Sequence, residues 1–106
     1  MTASVTPEAD QLKLVGPVIR GAEGDLADAL ITAMEVDNPG AQIYVDDRGG
    51  YIRINMAERC VVTRASLEDA LGKSFPLVQI EPALCGFAGR IDMQEDQVIW
   101  FLDRKD

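Results

Sequence analysis

Apolar positions recur along this chain with two different periods, and the changes between them mark out its elements. Leu26, Ala29, Leu30, Ala33 and Met34 follow the i, i+3, i+4 spacing of one helical face, which predicts an α-helix over residues 25–36. Asp25 or Gly24 can cap its start, and Ile31, off the stripe, reads as a second core contact. The helix must end at Asp37-Asn38-Pro39-Gly40, because a residue before proline is pushed out of the helical region and Gly40 frees the chain to turn. Before the helix, residues 13–20 (KLVGPVIR) read as a strand that is either an edge or bent, since Pro17 cannot donate to a ladder. After it the period falls to two. Ile43 and Val45 alternate with Gln42, Tyr44 and Asp46. Ile52, Ile54 and Met56 alternate with Tyr51, Arg53 and Asn55, across a turn at Asp47-Arg48-Gly49-Gly50. This is a β-hairpin with one core face and one polar-aromatic face.

Cys60 to Thr63 supplies a third strand, and residues 66–71 (SLEDAL) a short helix with Ser66 as N-cap and Gly72 at the C′ position. Pro76 and Pro82 limit any helix between them to one or two turns. A second hairpin closes the chain: Gly86 to Asp92, a turn at Met93-Gln94-Glu95-Asp96, and Gln97 to Leu102. Val98, Trp100 and Leu102 face one way and Ile99 and Phe101 the other, so the last strand should be central and covered on both sides. The order predicts an α+β fold, a mostly antiparallel β-sheet of two hairpin units packed with two or three short helices. Residues 1–12 (MTASVTPEADQL) read as a flexible N-terminal tail, and residues 13–106 as one domain.

Composition narrows the function more by exclusion than by indication. Lys and Arg number 10 against 18 Asp and Glu, a net charge of −8, which argues against nucleic acid and against an anionic membrane surface. It suits steering toward a basic patch on a protein partner. No stretch approaches the ~20 apolar residues of a membrane span. The absence of histidine removes the commonest general base and metal ligand. Cys60 and Cys85 are too few and too far apart for a zinc or iron–sulfur site, and without a secretion signal they read as buried free thiols of a cytoplasmic protein. The carboxylate pairs Asp46/Asp47, Glu68/Asp69 and Glu95/Asp96 fall at turns or on a helix surface, where solvated charge is the default. No calcium loop is present, and Gly21-Ala22-Glu23-Gly24 lacks the lysine of a phosphate loop. Thr63, Ser66 and Ser74 have no histidine to activate them. The residues alone therefore describe an acidic α+β module that acts through its surface. A protein-binding adaptor and a small enzyme using carboxylates alone stand as alternatives.

Several segments carry more. Val36-Asp37-Asn38-Pro39-Gly40 leads into Ile43-Tyr44-Val45-Asp46-Asp47-Arg48-Gly49-Gly50-Tyr51-Ile52-Arg53-Ile54, followed by Leu67-Glu68-Asp69-Ala70-Leu71-Gly72-Lys73-Ser74-Phe75 and Phe87-Ala88-Gly89-Arg90-Ile91. Each is an ordinary turn or helix sequence. In this order, over Val15 to Asp103, the series resembles the effector (coupling or regulatory) proteins of soluble bacterial multicomponent monooxygenases, most of all the toluene and alkene branch. The resemblance implies a cofactor-free, non-catalytic protein, monomeric when free. It implies binding to a diiron hydroxylase alongside a Rieske ferredoxin and an NADH-dependent flavin reductase, with faster turnover, tighter coupling and altered regiospecificity. It also implies contact residues: Asn38, Pro39 and Gly40; Arg48 and Tyr51; Cys85, Gly86 and Phe87. Arg53 joins them because it shares the polar face of the first hairpin with Tyr51, where tyrosine and arginine suit a binding hot spot. In the methane branch the stretch matching the last three holds small hydroxyl residues linked to substrate access, and this chain departs from that pattern.

Overall fold

The computed structural model describes residues 13–102; the expected tail, residues 1–12, lies outside them. The order is β1 (Leu14–Arg20), a 3₁₀ turn (Gly21–Glu23), α1 (Gly24–Asp37), β2 (Tyr44–Asp47), β3 (Tyr51–Ala57), β4 (Arg59–Thr63), α2 (Arg64–Leu71), a 3₁₀ helix (Leu77–Ala83), β5 (Leu84–Ala88), β6 (Arg90–Met93) and β7 (Gln97–Phe101). One antiparallel sheet runs β2-β3-β1-β5 and a second β4-β7-β6. The α+β class and both hairpins are as expected.

The two sheets are joined at two one-residue corners. β3 gives way to β4 through Glu58 (φ +67°), and β5 to β6 through Gly89 (φ +88°). Each pair is one long strand that bends out of the first sheet into the second, the usual way to turn a corner between sheets. β1 lies between the two bent strands in the first sheet and β7 between them in the second. The single strand expected from Gly86 to Asp92 is therefore two. At Gly89 a Cβ would lie 2.7 Å from both the Phe101 carbonyl oxygen and Val15 Cγ1, so the corner closes only on glycine.

β1 is not an edge but a central strand. Its register with β3 runs Leu14–Ala57, Val15–Met56 and then Val18–Arg53, skipping Gly16 and Pro17, which pair with Ala88 and Phe87 of β5 instead. The proline is tolerated because β1 is bent there: Gly16 has φ +144°, and a Cβ on it would fall 2.1 Å from the Ile54 carbonyl oxygen.

The apolar stripe of α1 is buried throughout. It joins one core cluster with Val15, Ile19, Ile52, Ile54 and Met56 of the first sheet and Cys60, Val62, Val98 and Trp100 of the second. Ile31 is half-buried against the same core. The residue preceding α1 is Glu23, which makes no side-chain cap bond, and neither Gly24 nor Asp25 serves as cap. β7 is central, with Val98, Ile99 and Trp100 all buried. Val45 departs from expectation: it sits opposite Ile54, but β2 is an outer strand beyond the reach of the helix, leaving Val45 49% exposed.

α2 starts two residues earlier than expected. Thr63, not Ser66, is the cap, its Oγ1 accepting the Ser66 N–H at 3.2 Å. At the other end Gly72 takes the left-handed conformation (φ +76°) and its N–H donates to the Glu68 carbonyl at 2.7 Å. Glu68, read from sequence as plain solvated charge, also accepts the Phe75 N–H at 2.8 Å and Arg64 Nε at 2.7 Å through one carboxylate oxygen. The Phe75 N–H first, and Arg64 with it, hold its pKa below the ordinary value of 4.5. A lowered folded pKa stabilises above the unfolded value and is lost as pH falls through the folded one. Urea midpoints should therefore drop on acidification below about pH 4.5, and Glu68→Gln should show a smaller drop over that window.

Candidate partner-binding surface

The expected contact residues fall in three places. The first is the turn after α1. Asn38 Nδ2 donates to the carbonyls of Met34 (2.9 Å) and Val61 (2.8 Å), while its Oδ1 accepts the Val61 N–H at 3.1 Å. The carboxamide thus pairs with the open edge of β4 as another strand would. Asp37 extends this by two residues: Oδ2 accepts the Thr63 N–H at 2.8 Å and Oδ1 accepts Ser66 Oγ at 2.7 Å. Its charge also lies at the N-terminus of α2, where the helix dipole favours an anion. Asp37 and Asn38 therefore fasten α1, β4 and α2 together, and the polar group of Asn38 is engaged inside the fold. Pro39 and Gly40 (φ +84°) are exposed beside it.

The second place is the β2–β3 hairpin. Gly49 N–H donates to Asp47 Oδ1 (2.9 Å), Arg48 N–H to the Tyr51 carbonyl (2.9 Å), and Arg48 Nε to Asp46 Oδ1 (2.8 Å). The tip rests on the backbone just before α1: Gly21 N–H donates to Gly50 O at 2.9 Å, and a Cβ on Gly21 would fall 1.8 Å from Gly49 O. That close approach explains Gly21 without any phosphate. The Arg53 guanidinium lies 5.6 Å from the centroid of the Tyr51 ring, on the sheet face opposite Ile52 and Ile54.

The third place is β5. Cys85 and Phe87 are exposed, Phe87 at 42%, and half-buried Gly86 lies between them. The expectation of two buried thiols thus holds for Cys60 alone, whose pKa burial pushes up to about 12, with the Asp37 charge adding to the effect. Cys85 differs because an outer strand buries only one of its two faces.

Pairing relates the second and third places. Asp46 sits opposite Arg53, Arg53 opposite Val18, and Val18 opposite Gly86, so one row crosses all four strands of the first sheet. Arg53 and Gly86 are two strand spacings apart, about 10 Å. Tyr51 faces Arg20 in a neighbouring row. The Pro39–Gly40 turn precedes β2 and the Arg48 turn follows it, so these two lie toward opposite ends of that strand. Among the described residues, no group of three or more His, Cys, Asp or Glu side chains is placed to hold a metal ion. No described helix is long and apolar enough to cross a membrane. Asp37, named in the sequence only as part of a turn, is the residue that pattern reading missed. Its partners lie 26 and 29 positions away, where no local spacing can reveal them.

Residues 13–101 match the MmoB/DmpM family. The chain is 45% identical over 101 residues to the effector subunit of the alkene monooxygenase system of Xanthobacter autotrophicus (strain ATCC BAA-1158 / Py2), covering 95% of this chain and 97% of that one. Among solved structures, a chain of the phenol hydroxylase–regulatory protein complex superposes with a TM-score of 0.68 at 26% identity, covering 85% of this chain and 99% of that one. The soluble methane monooxygenase regulatory protein B matches with a TM-score of 0.61 at 16% identity, over 97% of this chain and 70% of that one, a likeness of fold.

Proposed function

The chain belongs to the MmoB/DmpM family, and from that membership we propose that it is the effector subunit of a multicomponent monooxygenase, a non-catalytic regulatory component that binds the hydroxylase. The observation that carries this is the 45% identity to an alkene monooxygenase effector subunit, sustained over nearly the whole of both chains. The hydroxylase partner is one with a diiron centre that oxidises an aromatic or alkene hydrocarbon. Electrons reach it from a Rieske ferredoxin and an NADH-dependent flavin reductase. The effector is monomeric when free and works in the cytoplasm.

Its action is thermodynamic. An effector shifts a conformational equilibrium only by the difference between its affinities for the two states, so this chain binds the oxygen-activating form of the hydroxylase more tightly than the resting form. It also covers the approach to the centre and keeps water from reactive species. The residues of the three places supply the contacts: exposed Pro39 and Gly40; exposed Arg48 and Arg53 with half-buried Tyr51; exposed Cys85 and Phe87 with half-buried Gly86 between them. Asn38 positions the first of these turns. Tyrosine and arginine are favoured at binding hot spots, and Phe87 is one of the few large apolar side chains left exposed. Sedimentation velocity of the protein with its cognate hydroxylase tests the reading. A boundary at the mass of the complex is expected, weakened by Phe87→Ala. Two independent boundaries at micromolar concentrations of both would refute it.

A further inference from the structure

A strand at the edge of a sheet leaves alternate N–H and C=O groups unpaired, and proteins ordinarily guard such edges with charge, proline or a covering group. Among the described residues four strands are edges: β2 and β5 of the first sheet, β4 and β6 of the second. Three are guarded. β2 carries Asp46 and Asp47, and β6 carries Arg90 and Asp92. β4 has its Val61 and Thr63 backbone groups taken by Asn38 and Asp37. β5 reads Leu-Cys-Gly-Phe-Ala, with no charge and no proline, and among the described residues no hydrogen bond closes its outer side. Its Cys85 and Phe87 side chains are exposed as well.

We propose that β5 is an open docking edge, to which an extended segment of the hydroxylase, apolar along the edge and charged only at its ends, adds as a further strand of the first sheet. This rests on the effector reading. Unpaired backbone groups along an edge are matched by another extended backbone rather than by a helix, whose own backbone groups are already paired. Charge gives the segment a direction. Exposed Glu81 precedes β5 and exposed Arg90 follows it. An antiparallel segment with an acid at its N-terminal end and a base at its C-terminal end complements both. A second copy of this chain would offer the same bracket, but it would bring together two molecules each carrying a net charge of −8, which repel. Phe87 and Cys85 give the added strand apolar neighbours on the exposed face.

The test is amide hydrogen exchange on the full chain, free and bound to its cognate hydroxylase, with complex formation followed separately by sedimentation. Alternate β5 amides should slow at least about tenfold in the complex, while those of β2 and β6 keep their free rates. A guard lysine, Cys85→Lys, should weaken hydroxylase binding at least about tenfold with the unfolding midpoint of the free protein unchanged, because Cys85 is outside the core. A complex that forms with β5 exchange unaltered overturns the docking edge and leaves the effector reading standing. No complex at all overturns the effector reading, and this inference with it. Concentration-dependent β5 protection in the free protein, with a dimer boundary, makes a second copy the occupant and also overturns the proposal.

Discussion

Trp100→Ala should lower the unfolding free energy by about 3–5 kcal/mol, a large fraction of the ~5–15 kcal/mol that a domain of this size has. Trp100 is fully buried on the central strand β7, opposite Cys60 on one side and Ile91 on the other. Truncation removes the apolar area of the ring and leaves a cavity in the core that residues of both sheets share. Phenylalanine separates the contributions. The indole Nε1–H finds no hydrogen-bond partner among the described residues. An unpaired buried donor costs about 1–3 kcal/mol, and Trp100→Phe removes that cost along with part of the ring volume. The two effects oppose each other, so Trp100→Phe should stay within about 1 kcal/mol of the parent. Urea unfolding followed by far-ultraviolet circular dichroism compares all three proteins, which fluorescence cannot do because Trp100 is the only tryptophan. A phenylalanine variant as unstable as the alanine one would mean that the indole N–H is satisfied.

Asp37→Ala should cost about 2–3 kcal/mol. The carboxylate accepts the Thr63 N–H and the hydroxyls of Thr63 and Ser66, and its removal leaves three half-buried donors at a junction of helix, strand edge and helix. Asn38→Ala should cost less, about 1–2 kcal/mol, through the lost bonds to Val61. Because the two side chains hold neighbouring stretches of β4, the double variant should lose less or more than the sum, a coupling that a double-mutant cycle reads directly. The consequence for function is specific. These variants should lose hydroxylase binding only to the extent that they unfold, whereas Tyr51→Ala and Phe87→Ala should keep the parent midpoint and bind more weakly. An Asn38→Ala protein with full stability and impaired binding would return Asn38 to the contact surface.

Much of the architecture was legible because its causes are local. The 3.6-residue stripe of α1, the two-residue alternation of β3 and the two apolar faces of β7 each follow from side chains a few positions apart. What sequence could not show depended on chain segments far apart. Pro17 left an edge strand and a bent one both open, and what selects the bent, central β1 is the skipped pairing with β3, some forty residues later. The bend at Gly89 looked like one residue of a continuous strand, because the need for glycine comes from Phe101 and Val15. Val45 has the right alternation for a core position, but nothing in its neighbourhood says that the core ends before β2. The candidate surface divides in the same way. The turn glycines and the candidate aromatics can be picked out from sequence, while the exposure of Phe87, the inward engagement of Asn38 and the unguarded edge of β5 depend on the sheet order.

The most direct test of the effector role is steady-state turnover by the cognate hydroxylase, ferredoxin and reductase, titrated with this protein. NADH consumption and product are measured together. The account predicts faster turnover that saturates with added protein, and product approaching one per NADH. Rate, coupling and product distribution all unchanged at saturating concentration would contradict it.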